Sequence, residues 1–260
     1  MGHIHLGVLP NSKKWRAVTD ALEAGTAFED VLADAAVAVE KELRAAPNDP
    51  IFVETLVLLA GVPQAGRSEN FAEALRLLDV PLRGQPSLLS LTTGLGKLLD
   101  LKSRELGARS DFGELSRRAL MSALSQHLGA QLPGLFEATP QDLHASARHL
   151  AKSTSFAGLA RSYFTRLLRE TVRAYLDRAL SLHVGPDGRF HGVAQRAQFD
   201  LVVDQYAMEA TRIIKEFAGG WYDKTIHLEG RVDRASAQRF GAVAFKKIVE
   251  EMQRKRDVDA

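Results

Sequence analysis

Apolar residues recur at three- and four-residue spacing along most of the chain, the period of helices that bury one side. The longest such run is Ser155 to His183, with Ser153 or Ser155 placed to cap its start and Gly185-Pro186 placed to stop it. Set 100° apart, Phe156, Ala160, Tyr163, Phe164, Leu167, Leu168, Val172 and Tyr175 share one arc, wider than the stripe of about 100° on a surface helix. That predicts a central helix with neighbours on several sides, roughly 43 Å long at about 1.5 Å per residue.

Upstream, shorter helices joined by polar connectors are expected. Asn11 or Ser12 caps one through Trp15, Val18 and Leu22 that ends at Gly25, and Thr26 with Glu29 has capping-box spacing for a second, reaching about Arg44. Asp49-Pro50 starts another, stopped by Gly61-Val-Pro63. Ser68 opens a helix through Phe71, Leu75 and Leu78, and Pro81, Gly84 and Pro86 mark a loop. Gly94 and Gly96 predict a break within Leu88 to Leu106. Asp111 with Glu114, and Thr139 with Asp142, begin two more helices. No internal repeat of solenoid length is present.

Downstream, a helix from about Val193 to Ala218 is expected to end at Gly219-Gly220. A further one, capped by Asp233, carries Phe240, Phe245 and Ile248 before a frayed tail. Two stretches alternate with period two: Ile4, Leu6 and Val8 near the start, and Thr225 to Val232. The expected fold is therefore all-α or nearly so, an irregular multi-helix bundle with long central helices and at most one small two-stranded or edge β element. Residues 1–152 form an N-terminal helical part with a short leading strand or arm. Residues 153–260 form a basic bundle of long helices, and the two can share one core.

The absence of cysteine removes disulfides, thiolate zinc sites and cysteine nucleophiles. No leader or membrane-length apolar run is evident, so a soluble, cytoplasmic chain is expected. The net charge of +2 conceals an asymmetry, with −3 over residues 1–150 and +5 over the rest. A basic half suits an anionic partner.

Catalytic motifs are wanting. Gly94-Leu-Gly96-Lys97 lacks the glycine and the Ser or Thr of a phosphate loop, since Leu91 and Leu98 stand there, and Leu99 breaks the dinucleotide fingerprint. His3 and His5 point the same way from the leading strand but have no third ligand. No metal site and no cofactor is expected. The turn with His183, Asp187 and His191 gathers three acid-base groups in nine residues, the least weak basis for a metal-dependent or acid-base hydrolase.

Cations are better organised. Arg166, Arg169 and Arg173 stand on one helical face, where they can track phosphates or pair with Glu170 and Asp177. Arg161 and Arg178 project onto the apolar arc, and each requires a carboxylate, a helix-end carbonyl or a bound anion. Gly219-Gly220-Trp221-Tyr222 places two aromatics together, either to plug the bundle end or as a platform for a partner, backed by Lys224, Arg231 and Arg234. The reading favoured is a non-enzymatic helical adaptor or binding subunit of a larger assembly. It would engage a protein partner, through residues such as Ile4, Leu6, Val8, Trp221 and Tyr222, and DNA or RNA through the basic half.

Overall fold

Burial of apolar surface arranges the chain around one rod. The computed structural model describes residues 12–133, 137–180 and 193–259, and over these the protein is all-α, with no strand. In chain order the helices are α1 (Lys13–Glu23), α2 (Phe28–Ala45), α3 (Pro50–Ala65), α4 (Phe71–Arg76), α5 (Leu88–Glu105), α6 (Asp111–Gly129), α7 (Pro140–Leu150), α8 (Ser153–Leu180), α9 (Val193–Ala210), α10 (Ile214–Glu229) and α11 (Arg234–Asp259). The expected central helix is α8, begun two residues early at Ser153. Helices α10, α6, α9, α2 and α7 pack around it. Phe156, Leu159, Tyr163, Phe164, Leu167 and Leu168 are fully buried there, which is why its apolar arc is so wide.

Behind α8 lies α3, buried along nearly its whole length and packed on α6, α7 and α11. Phe52 of α3 meets Phe164 of α8 and Phe245 of α11 at ring-centroid distances of 6.4 and 5.3 Å. One apolar core thus draws on both parts of the chain. Among the described residues no single helix is long and apolar enough to cross a membrane. Only the pair Phe28–Asn48 and Pro50–Ala65 passes together, bent by 71°.

Several local signals act as expected. Ser12 caps α1, Asp49 accepts from the Ile51 and Phe52 amides at 2.9 Å, and Thr139 and Asp142 close a reciprocal capping box. Others are redirected. The Thr26 hydroxyl donates back to the Ala21 carbonyl at 3.0 Å, so Ala27 stands at the N-cap of α2 with no side-chain cap. Ser110, not Asp111, caps α6 by accepting from the Gly113 amide. Helix α3 continues through Gly61 and Pro63 to Ala65, and α4 is a short helix capped by Asn70.

Three expectations are corrected by tertiary packing. Helix α5 does not break at Gly94, because that glycine serves contact: a Cβ would stand 2.9 Å from Val80 Cγ1 and 3.0 Å from the Pro81 carbonyl. The helix from Val193 is interrupted instead at Thr211–Ile213, where the amides of Arg212, Ile214, Lys215 and Glu216 bond three residues back. Helix α10 then runs straight through Gly219-Gly220, so Thr225 to Glu229 is helical and no β element forms there. A Cβ on Gly219 would lie 2.6 Å from the Ser153 carbonyl oxygen, so the glycine admits the start of α8 rather than ending a helix. The final residues are also helical, to Asp259. The leading alternation at Ile4, Leu6 and Val8 lies outside the described residues.

Candidate anion-binding groove

The arginine row on α8 divides in two. Arg169 and Arg173 face α9, where Arg173 donates to Asp204 Oδ1 at 2.9 Å and its Nε lies 3.7 Å from Asp200. Arg169 pairs with Glu170 at 3.0 Å and approaches Asp204 at 3.7 Å. Arg196 of α9 answers with Asp177 and Asp200. Opposite charges thus alternate across the α8–α9 seam. Of the expected phosphate-tracking row, Arg169 and Arg173 already have their charge matched within the chain.

Arg166 is different. Its Nε donates to Ser122 Oγ at 2.8 Å, Nη1 to the Ser162 carbonyl at 3.2 Å and to its hydroxyl, and Nη2 to Gln126 Oε1. All are neutral acceptors, so they fix the guanidinium plane without cancelling its charge. Burial, and next the charge of Arg169, lower its pKa. His127 is lowered by burial and then by Arg166. Arg161 donates to the Met208 carbonyl at 2.9 Å, close to the end of α9. That is one of the partners an arginine on this arc requires. The Arg178 side chain lies outside the described residues.

These groups line a groove of about 370 Å³ along α8. Gly158, Ser162 and Thr165 form its floor, Gln126 of α6 one wall, and Asp204, Met208 and Lys215 the other. Four cations (Arg161, Arg166, Arg169, Lys215) face it against one carboxylate, Asp204, which Arg169 and Arg173 already share. Lys215 is exposed and makes no ion pair among the described residues. A concave site with excess charge of one sign concentrates counter-ions. By contrast, a larger cleft of about 530 Å³ between α5 and α6 has Arg104, Arg109 and Arg117 facing Asp100, Asp111 and Glu114. Arg117 there bridges Asp100 and Glu114 at 3.2 and 3.4 Å.

The other expected site residues are scattered. Arg234 is bound to Glu54, a buried carboxylate of α3, at 3.0 Å. Lys224 and Arg231 are exposed. Trp221 stacks on Phe240 at 3.9 Å and Tyr222 on Phe156 at 4.1 Å. Tyr222 is a core residue and not a surface for a partner, since α10 continues through the glycines and turns its ring onto α8. Burial pushes its hydroxyl up to about 12. His183, Asp187 and His191 lie outside the described residues. Among those described, no three His, Asp or Glu side chains are grouped to hold a metal. His144 stacks on Phe71 and reaches the Gly66 carbonyl, and His149 bonds Ser155.

Sequence reasoning missed Lys215 and the neutral cradle of Ser122 and Gln126. Neither carries a local signal, because each is brought in by a different helix. No protein-family model matches this chain, and no curated protein or solved structure shows significant similarity to it.

Proposed function

We propose that this chain is a non-enzymatic helical binding subunit that receives an anionic group of its partner in the α8 groove. The observation that carries the reading is the charge imbalance at that groove, where Arg161, Arg166 and Lys215 have no carboxylate partner among the described residues and the one carboxylate of the lining, Asp204, is shared by Arg169 and Arg173. Arg166 supports it further, being oriented by three neutral side chains that leave its charge unanswered. Binding rather than catalysis is the better reading because no nucleophile, base and orienting group come together there. A protein partner, DNA or RNA would each reach the site by presenting an anion to the basic half.

Thermal unfolding in low salt against a panel of anions (phosphate, citrate, heparin and a short RNA) tests this. At least one should raise the melting temperature of the full chain, as a ligand specific to the native state must. The gain should shrink with added salt and vanish in Arg161→Gln/Lys215→Gln. A panel without any shift, or shifts that survive the double substitution, would discard the reading.

A further inference from the structure

We infer that the anion is a terminal phosphoryl group, a compact and doubly charged dianion as in free phosphate or a phosphate monoester, held between Arg161, Arg166 and Lys215. The inference rests on the anion-binding reading above and narrows its ligand.

The charge distribution along α8 favours a compact anion over an extended polyanion. Toward the C-terminal end of the groove, positive charge gives way to Glu170, Asp204, Asp200 and Asp177, each paired with an arginine of the seam. A nucleic-acid backbone laid along the helix would leave the uncompensated cations after one phosphate and meet this neutral ladder. Three cations without carboxylate partners among the described residues instead line one groove, from α8 and from the first turn of α10.

The donor chemistry agrees. A terminal phosphoryl group carries close to two charges at neutral pH and three strong acceptor oxygens. Arg161 spends one donor on the Met208 carbonyl and has others free, and the Lys215 ammonium has three. The Ser162 hydroxyl accepts from Arg166 and so keeps its own proton to donate. A singly charged carboxylate would answer only part of this set. The floor has room, because a Cβ on Gly158 would meet nothing nearer than His127 Cε1 at 3.8 Å. Met208, 54% exposed on the wall, offers apolar contact to residues beside a phosphorylated side chain. The group can therefore come from free phosphate or from a phosphorylated partner.

Calorimetric titration of the full chain decides between these. The probes are inorganic phosphate, a phosphoserine peptide, its unphosphorylated counterpart, and an RNA oligonucleotide with hydroxyl ends. Phosphate and the phosphopeptide should bind, and Lys215→Gln and Arg166→Gln should each weaken them about tenfold, the effect of losing a hydrogen bond to a charged group. Arg166 also ties α6 to α8, so Lys215→Gln, which removes an exposed side chain, keeps the test independent of folding. A phosphopeptide tighter than phosphate assigns the source to a modified partner, and equal affinities assign it to the free ion. Binding of the RNA as tight as that of the phosphopeptide overturns the terminal phosphoryl group while keeping an anion groove, and equal binding of the unphosphorylated peptide overturns the anion itself. Wild-type affinity in both variants overturns the site. Silence from every probe removes the inference, and the reading beneath it then stands or falls on the melting-temperature shift with citrate or heparin.

Discussion

The Tyr163 hydroxyl lies 2.7 Å from Thr55 Oγ1 inside the core, joining α8 to α3. Thr55 also donates to the Phe52 carbonyl at 2.6 Å, and both residues are fully buried. Tyr163→Phe should therefore lower stability by about 1 kcal/mol, the net contribution of one such bond, since Thr55 keeps its backbone acceptor. Thr55→Val should weaken the fold more, by leaving the phenol with fewer partners. Urea unfolding of the two variants orders them, and equal stability of both with wild type would refute the link.

Alkaline sensitivity follows from the same side chain. Burial raises the Tyr163 pKa and takes Tyr222 up to about 12. Raised folded-state values mean the stabilisation is fully present below the unfolded tyrosine value of about 10 and is lost as pH climbs beyond it. Urea midpoints should stay level to about pH 10 and then fall. Tyr163→Phe/Tyr222→Phe should flatten that fall, and an unchanged alkaline slope would count against it.

Gly219 and Gly220 are adjacent in sequence and opposite in consequence. Gly219→Ala would force a Cβ to 2.6 Å from the Ser153 backbone oxygen, whereas at Gly220 nothing lies within 4 Å. The first substitution should destabilise by about 1–3 kcal/mol through overpacking. The second should stabilise by up to about 1 kcal/mol, because alanine suits a helix interior better. Melting temperatures that move in the same direction would contradict the packing described.

Glu54 is buried, and Arg234 reaches it from the start of α11. Because Arg234 is half exposed, solvent screens the pair and its net value is modest. Removing only the cation is expected to cost about 2 kcal/mol by stranding the carboxylate. Glu54→Gln/Arg234→Ala should recover part of that loss. Chemical denaturation of the single and double variants measures the coupling, and strict additivity would mean that the contact is incidental.

Most helices were legible from apolar spacing and start signals because both are local. Ser12, Asp49 and Thr139 act within a turn of themselves. What failed was inference from glycine. Gly94, Gly219 and Gly220 read as terminators, yet the first two serve approaches between segments that lie far apart in sequence. The real interruption, at Thr211–Ile213, contains neither Gly nor Pro, and Thr211 packs with its Oγ1 2.6 Å from that of Thr165 on α8.

The site was half legible for the same reason. Spacing alone places Arg166, Arg169 and Arg173 on one face of a helix, and the projection of Arg161 onto the apolar arc demands an acceptor. Only the fold decides that α9 supplies carboxylates to Arg169 and Arg173 while α6 offers Arg166 nothing but neutral oxygens. By itself, then, the sequence determined the helical class, the central rod and the cations it carries, since these depend on periodicity within a few turns. Tertiary structure decided which of those charges are answered, because an ion pair depends on distance in space, and the partners here come from helices that spacing along the chain does not bring together.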